Sequence, residues 1–214
     1  ILAILMCGGS YCPLNPQDPQ KRLLTLIDDT QTKHVLIHNL TKKTFINFTK
    51  YVINIEEIVL NIQPAYIVDD AFTELSTVLV GRESIAFVLF TSGSTGQPKA
   101  VQIRHRNSIS CIQSYLNVGL FHKDNEVILQ LTQCSFDAHF EEIIGTFITG
   151  SLLILMKSNG YLDMAYTCKL IHCEHITYVL AVPSFIVTMC GYLLKCQSNQ
   201  YLESVRCFVS TGKY

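Results

Sequence analysis

Residues 91–99, TSGSTGQPK, combine four hydroxyl side chains, two glycines and one lysine in a short run directly after the apolar run IAFVLF. Glycines allow backbone conformations in which successive N–H groups point into one concavity. Hydroxyls and a lysine add hydrogen-bond donors and a positive charge, and this combination suits a polyphosphate. Clusters of Ser, Gly, Thr and Pro also form ordinary surface loops, so composition alone leaves both interpretations open.

The spacing within this segment excludes a Walker-type phosphate loop, which requires Gly-Lys-Ser/Thr in a row and a helix directly after it. Here Gln97 and Pro98 separate the second glycine from Lys99, and the residue after the lysine carries no hydroxyl. The next residues, AVQIR, end in the alternation of apolar and polar side chains that is typical of a half-buried strand. We therefore expect the loop to join two strands, with Pro98 stiffening its exit.

A second group of chemically active side chains lies in the run FDAHFEE, where Asp137 opens a predicted helix. An aspartate at this place stabilises the first helical turn, which is by itself a sufficient reason for its presence. Glu141 follows four residues later on the same helix face, with about 6 Å between the two Cβ atoms. Because a buried carboxylate without a partner is costly, Glu141 must either meet a cation or donor on a ligand or turn toward solvent.

Short apolar runs alternate with longer amphipathic segments, and this order predicts an α/β fold with layered, mainly parallel sheets flanked by helices. The predicted strands are HVLIHN, AYIVD, IAFVLFT, AVQIR, EVILQL, SLLILM, ITYVLAV and RCFVS. The predicted helices are PQKRLLTLIDDT, RNSISCIQSYLN, AHFEEIIGTFIT, MAYTCKLIHCEH and PSFIVTMCGYLLK. Residues 40–63 are the least regular segment, and we expect them to form an irregular surface excursion.

The composition limits the possible partners. Sixteen basic and seventeen acidic side chains give a net charge of −1, so no basic excess favours nucleic acid or an anionic membrane surface. No apolar run reaches the length of a membrane span. The nine cysteines are odd in number and contain no C-x-x-C pair, and no zinc spacing fits the run CKLIHCEH. We predict no metal site and mostly buried free thiols, which favour a reducing, cytoplasmic location.

Three segments together resemble the AMP-forming adenylate synthetases. TSGSTGQPKA is similar to their phosphate-loop signature, [ST]-S-G-[ST]-T-G-x-P-K-G. GGSYCPLNPQDPQKRLLTLIDD resembles the G-G-A-Y-x-P-[IL]-D-P stretch of the amino-acid adenylation domains of nonribosomal peptide synthetases, and CSFDAHFEEIIGTFITGSLLIL resembles their F-D-x-S-x-x-E segment. The three occur in the family's order, and the resemblance covers nearly the whole chain. It implies that residues 1–214 are a partial adenylation domain from the large N-terminal subdomain, incomplete at both ends and without the C-terminal lid subdomain.

The resemblance implies ATP-dependent activation of a carboxylic acid, in particular an amino acid, as acyl-AMP with release of pyrophosphate. A carrier domain, expected in the same longer chain, would then take the acyl group on its phosphopantetheine thiol. Mg²⁺ would assist, with its ligands mostly outside these residues. The residues that would bind the β- and γ-phosphates are Thr91, Ser92, Gly93, Ser94, Thr95 and Gly96. Lys99 would anchor the loop or a phosphate, and Thr91 and Lys99 are the candidate catalytic residues.

The resemblance also assigns the substrate side of the site. Asp137 matches the aspartate that grips the substrate's α-ammonium in amino-acid adenylation domains, whereas relatives that activate fatty or aryl acids usually lack it. Positions that match the lining of the side-chain pocket are Ala138, Glu141, Leu180, Val209 and Thr211. Glu142 matches the recurrent glutamate of the motif, so Glu141 is the additional acid. A substrate donor or cation at Glu141 would favour a basic or polar amino acid.

Two alternatives to amino-acid adenylation stay open at this point. One is an acyl- or aryl-CoA ligase of the same superfamily, and the other is a degenerate fragment that binds a nucleotide or a partner without turnover. Ala100, which stands where the family pattern has glycine, supports the second alternative if this position requires a positive φ or a close backbone approach. Because the family's later catalytic motifs are not among these residues, we expect residues 1–214 alone to be inactive.

Overall fold

The computed structural model describes residues 1–45, 51–61, 70–91, 98–123, 126–197 and 200–212. The chain divides into two compact units, Ile1–Arg106 and Asn107–Tyr214. Each unit has strands and an apolar core of its own. Within the described residues, none of the helices combines the length and the apolar character needed to cross a bilayer.

The first unit contains two small sheets. One pairs β1 (His34–Ile37) in parallel with β2 (Tyr51–Asn54), and the other pairs β3 (Ile85–Thr91) with β4 (Lys99–Arg104) in antiparallel fashion. The helices of this unit are α1 (Leu2–Met6), α2 (Gln20–Asp29), α3 (Ile55–Asn61) and α4 (Asp70–Ser76).

Helix α2 and strand β1 form the core of the first unit. The helix buries Leu23 and Ile27, four residues apart and therefore on one helical face. The strand buries Val35 and Ile37, which alternate with exposed residues as expected for a strand with one buried face. These four side chains pack in one cluster with Phe45. The helical spacing of α2 and the alternation of β1 therefore both place apolar side chains in the same core.

The second unit is built on a four-stranded parallel sheet with the strand order β6–β5–β7–β8. Its strands are β5 (Val127–Gln130), β6 (Leu152–Leu155), β7 (Tyr178–Ala181) and β8 (Cys207–Ser210). Its helices are α6 (Asp137–Thr149), α7 (Met164–Cys173), α8 (Pro183–Cys196) and most of α5 (His105–Asn117), whose first two residues belong to the first unit.

Helices cover both faces of this sheet, because successive residues of a strand point to opposite sides. Ile128 packs in a cluster with α5 and α6 residues, whereas its neighbour Leu129 packs in a cluster with α7 and α8 residues. Tyr178 and Val179 divide in the same way, and every residue of β7 is buried. The prediction of an α/β fold with a mainly parallel sheet is confirmed.

Two sequence-based expectations about local structure are wrong. Residues 51–61 are not irregular, since they form β2 and α3. The run YVIN is short and lies among polar residues, so its alternating pattern is difficult to recognise in the sequence.

The thiols are not mostly buried, because only Cys168 of the nine is buried, and none of them forms a disulfide. Several cysteines occupy solvent-facing positions of helices, where helix geometry overrides their usual preference for burial. The predicted strand AYIVD, residues 65–69, lies outside the described residues.

A buried ion pair ties together the amino ends of three neighbouring strands. Glu126 precedes β5 and is 1% exposed, and it accepts hydrogen bonds from Arg206, which precedes β8, and from the hydroxyl of Thr177, which precedes β7. Arg206 also donates to the carbonyl oxygens of Gly119 at 3.2 Å and Leu120 at 2.8 Å. The carboxyl ends of the same strands therefore form the opposite edge of the sheet, which is the edge where parallel α/β sheets bind ligands.

We predict that Arg206→Met lowers the free energy of unfolding by about 3 kcal/mol, because it leaves the buried Glu126 carboxylate without its cation. We expect a loss of free energy near the lower end of the range for breaking a buried ion pair, because the Arg206 side chain is 33% exposed. Urea unfolding measures the change, and amide exchange in β5 and β8 localises it. Lys157→Met is the matched control, because its ion pair with Asp163 is exposed at both partners, and we expect a loss below about 1 kcal/mol. Equal losses in the two variants would contradict a structural role of the buried pair.

Candidate active site

The ends of the predicted phosphate loop lie on paired strands of the first unit. Thr91 is the last residue of β3, Lys99 is the first of β4, and the two are partners in the antiparallel ladder. The Thr91 hydroxyl donates to the carbonyl oxygen of Lys99 at 3.4 Å, and both residues are exposed. The prediction that the loop joins two strands is confirmed. The loop residues Ser92, Gly93, Ser94, Thr95 and Gly96 lie outside the described residues.

Ala100, in place of the family's glycine, introduces no backbone strain. It lies within β4 opposite Phe90 and is exposed. It is not one of the residues with positive φ. Because an extended strand residue carries a Cβ without cost, the alanine provides no argument for a degenerate site.

Asp137 is the first residue of α6 and is exposed. The preceding residue, Phe136, is extended, with φ −106° and ψ 149°. One carboxylate oxygen of Asp137 accepts the backbone N–H of Ala138 at 2.9 Å, so the side chain stabilises the start of the helix. Its exposure also leaves the carboxylate accessible to a ligand.

The predicted pocket residues meet at the carboxyl edge of the parallel sheet. Leu180 of β7 and Val209 of β8 are register partners, and both pack in one apolar cluster with Ala138 of α6. Thr211 follows β8 and is exposed, and its backbone N–H donates to the carbonyl oxygen of Ala181 at 3.1 Å. The topology therefore brings residues that are far apart in sequence to the place where α6 begins.

Glu141 is half-buried and meets donors from helix α5, an arrangement that the sequence analysis did not consider. The Tyr115 hydroxyl donates to one carboxylate oxygen at 3.0 Å, and the Cys111 thiol donates to the other at 3.5 Å. Burial raises the pKa of Glu141, the hydrogen bonds from Tyr115 and Cys111 oppose this rise, and the charge of Asp137 adds to it. Sequence periodicity places Glu141 on one face of α6, but it does not reveal which residues of α5 pack against that face.

Glu142 is fully buried and accepts hydrogen bonds from the loop between β5 and α6. One of its oxygens accepts from the Thr132 hydroxyl at 2.8 Å and from the backbone N–H groups of Thr132 at 3.2 Å and Leu131 at 3.3 Å. Burial raises the pKa of Glu142 to about 7, although these donors act in the opposite direction. Glu142 therefore fixes the loop that leads into Asp137, and it has no surface left for a ligand.

The raised pKa of Glu142 predicts a stability that depends on pH. Between pH 4.5 and about 7 the folded protein retains the Glu142 proton that the unfolded chain releases, so the free energy of unfolding falls as the pH rises. The loss amounts to about 3 kcal/mol over this window, at about 1.4 kcal/mol for each pH unit. We expect Glu142→Gln, which stays neutral, to reduce this loss.

Urea unfolding of both proteins at pH 5 and pH 8 tests the prediction. The control is Glu203→Gln, which changes an exposed glutamate of the same unit and should retain the pH dependence of the unaltered protein. An identical pH dependence in Glu142→Gln would show that the proton resides elsewhere.

Comparison with known families and curated proteins gives consistent matches. The family model described as AMP-binding enzyme matches residues 1–213. The chain is 33% identical to tyrocidine synthase 3 of Brevibacillus parabrevis over 192 residues, which cover 87% of this chain and 3% of that protein. It is 29% identical to gramicidin S synthase 2 of Brevibacillus brevis over 216 residues, which cover 100% of this chain and 4% of that protein. The chain thus spans only a few per cent of the length of these relatives.

Solved structures with the same fold include a peptide synthetase and a CoA synthetase. The nonribosomal peptide synthetase FmoA3, in its alpha-methyl-L-serine-AMP bound form, has a TM-score of 0.82 at 19% identity, over 99% of this chain and 22% of that chain. The o-succinylbenzoate CoA synthetase MenE from Bacillus subtilis, in complex with the acyl-adenylate intermediate OSB-AMP, has a TM-score of 0.76 at 21% identity, over 99% of this chain and 51% of that chain. At these identities the similarity demonstrates a common fold.

Proposed function

The chain belongs to the AMP-binding enzyme family, and from this premise we propose that it is part of an adenylation domain that activates an amino acid as its acyl-AMP. ATP would be the co-substrate and pyrophosphate the second product. The relatives tyrocidine synthase 3 and gramicidin S synthase 2 support this proposal, and so does the aminoacyl-AMP bound to FmoA3.

The observation that carries the choice of an amino acid is the position of Asp137. The N-terminus of a helix bears a partial positive charge, which repels an ammonium group. An exposed carboxylate in the first turn of α6 reverses this local charge. Since Ala138, Leu180 and Val209 pack beside this turn, an α-ammonium at Asp137 would place the substrate side chain against the pocket residues predicted from the sequence.

The proposed reaction joins two anions, so its main requirement is charge compensation. A carboxylate oxygen of the substrate forms a bond to the α-phosphorus of ATP, and the bond from that phosphorus to the bridging oxygen breaks, releasing pyrophosphate. We assign Lys99 and Thr91, together with the loop residues Ser92, Gly93, Ser94, Thr95 and Gly96, to the β- and γ-phosphates. Mg²⁺ would supply further positive charge; in the described part of the chain no group of three or more His, Cys, Asp and Glu residues could hold a metal ion.

The proposal extends to the step after adenylation. The thiol of a phosphopantetheine group on a carrier domain would attack the acyl carbonyl and release AMP. The resemblance of the motifs to amino-acid adenylation domains of nonribosomal peptide synthetases is what supports a carrier partner of this kind. We also propose a reducing, cytoplasmic location, which the lack of disulfides among the nine cysteines supports.

The second candidate function is that of a CoA ligase, which the structural similarity to MenE favours. A ligase of this kind takes a carboxylic acid without an α-ammonium, so its substrate does not need the negative charge of Asp137. Pyrophosphate exchange by the full-length protein separates the two functions. Exchange driven by one or a few of the twenty amino acids supports the first, and exchange driven only by simple carboxylic acids supports the second.

We predict that Asp137→Ala abolishes exchange driven by every amino acid, because the α-ammonium then faces the helix N-terminus without an anion. The matched control is Asp163→Ala, which removes an exposed aspartate from the N-cap of α7, where it accepts the N–H of Tyr166 at 3.0 Å. This control should cost about 1 kcal/mol of stability and leave the substrate panel unaltered. An unchanged panel in Asp137→Ala would mean that no ammonium binds there, and the CoA-ligase candidate would replace the first.

We predict that Lys99→Ala lowers kcat/KM for ATP by roughly two to four powers of ten, as expected for the loss of a charge contact made in the transition state. Lys169→Ala, which removes an exposed lysine from α7, should leave this constant within about twofold. Steady-state exchange at varied ATP concentration measures both variants. Near-normal exchange in Lys99→Ala would refute the assignment of this lysine to the phosphates.

A further inference from the structure

Helix α5 carries a polar stripe opposite the additional glutamate of α6. Ser108, Cys111 and Tyr115 follow the spacing i, i+3 and i+7, which places them on one helical face. Tyr115 and Cys111 donate to separate oxygens of Glu141, at 3.0 Å and 3.5 Å. The hydroxyl oxygen of Ser108 is buried and has no hydrogen-bond partner among the described residues. An unpaired buried hydroxyl is unfavourable, so this face of α5 has a hydrogen-bonding group that the described residues leave unpaired.

The charge of Glu141 is not neutralised by the described part of the chain. Its two donors, Tyr115 and Cys111, are both neutral at ordinary pH, because burial raises the pKa of each. Asp137 lies one turn away on the same helix and is a second anion. Among the described residues neither carboxylate forms an ion pair. An ionised carboxylate has about four acceptor sites, so Glu141 can still accept hydrogen bonds from a ligand.

The Tyr115 ring is held by aromatic packing, which makes its hydroxyl a fixed donor. Its centroid lies 5.7 Å from that of Phe121 in an edge-on arrangement, and Phe121 in turn lies 4.6 Å from Tyr178 of β7. Phe121 and Tyr178 are both 1% exposed. Because the ring cannot move without disturbing this core, the hydrogen bond to Glu141 sets the orientation of the carboxylate.

We propose that Tyr115 is a positioning residue that orients Glu141 toward a hydrogen-bond donor on the substrate's side chain. This inference rests on the proposed amino-acid adenylation. The substrate class is then an amino acid whose side chain carries an ammonium, guanidinium, amide or hydroxyl group. The α-ammonium would meet Asp137, and the side-chain donor would meet Glu141 one helical turn away.

Tyr115→Phe tests this role, because it removes only the hydroxyl and retains the ring that packs on Phe121. In the full-length protein we expect KM for the preferred amino acid to rise about tenfold, the effect of one lost hydrogen bond to a charged group. We expect kcat and KM for ATP to stay within about twofold. In a Glu141→Ala background the same substitution should change KM by less than about twofold, since its effect depends on Glu141.

The pH profile supplies a second readout that loss of packing would not move. The groups that face Glu141 are Asp137 on α6, Cys111 and Tyr115 on α5, and Tyr178 on β7. The Tyr115 hydrogen bond lowers the pKa of Glu141, so its removal raises that pKa. The acid limb of kcat/KM for the amino acid should therefore shift to higher pH in Tyr115→Phe. Tyr166→Phe is the control, because its hydroxyl accepts the backbone N–H of Lys157 at 3.2 Å and has no contact with Glu141.

The possible results separate this inference from the proposed function. Unaltered kinetics in Tyr115→Phe, alongside lost exchange in Asp137→Ala, would overturn the role of Tyr115 and leave amino-acid adenylation intact. An equal effect of Tyr115→Phe with and without Glu141, or a preference of the unaltered protein for apolar amino acids, would also overturn it. Exchange driven by no amino acid, whether or not simple carboxylic acids drive it, would remove the proposed function and this inference together.

Discussion

The buried carboxyl group of Glu142 is the constraint on which the position of Asp137, and so the proposed substrate site, depends. It accepts backbone N–H groups at Leu131 and Thr132, directly after β5, from a position in the second turn of α6. One side chain therefore joins the end of a strand to the helix that follows it. The residue at which α6 begins, and with it the position of Asp137, follows from this link. One oxygen of this side chain accepts both backbone N–H groups and the Thr132 hydroxyl at once, which concentrates the link at a single atom.

The two edges of the parallel sheet differ in their polar groups: a buried ion pair lies at the amino edge, and the proposed pocket residues lie at the carboxyl edge. At the amino edge, Glu126 and Arg206 compensate each other's charge. They also form hydrogen bonds with the Thr177 hydroxyl and with the carbonyl oxygens of Gly119 and Leu120, so most of their hydrogen-bonding groups are paired. At the carboxyl edge, Leu180 and Val209 are register partners and pack beside α6. The nearby Glu141 carboxylate accepts hydrogen bonds only from the neutral donors Tyr115 and Cys111 among the described residues. This division follows from topology, since parallel strands present all their carboxyl ends on one side.

Local periodicity was enough to predict most of the fold. The motif resemblance pointed to Ala138, Leu180 and Val209, which the structure brings into one cluster, and their roles toward a substrate stay predictions. The apolar run before Thr91 and the alternation after Lys99 correctly indicated two strands that flank the loop. The contact between Tyr115 and Glu141 could not be predicted in this way, because it depends on which faces of two helices meet. Residues 51–61 were misjudged for a similar reason, since β2 gains its regular structure from pairing with β1 and has only a weak pattern of its own.

The adjacent glutamates Glu141 and Glu142 of α6 differ in burial and in the elements that supply their hydrogen-bond donors. Glu142 is 0% exposed and surrounded by groups of the β5–α6 loop, which is why it serves the fold. Glu141 is turned by the helical repeat to another direction, where α5 offers a hydroxyl and a weakly donating thiol. A half-buried anion with two neutral donors keeps its charge only at a cost, and a substrate that brings a donor or a cation lowers that cost. Sequence proximity therefore does not imply equal roles, since the donors contributed by other elements decide which carboxylate is available.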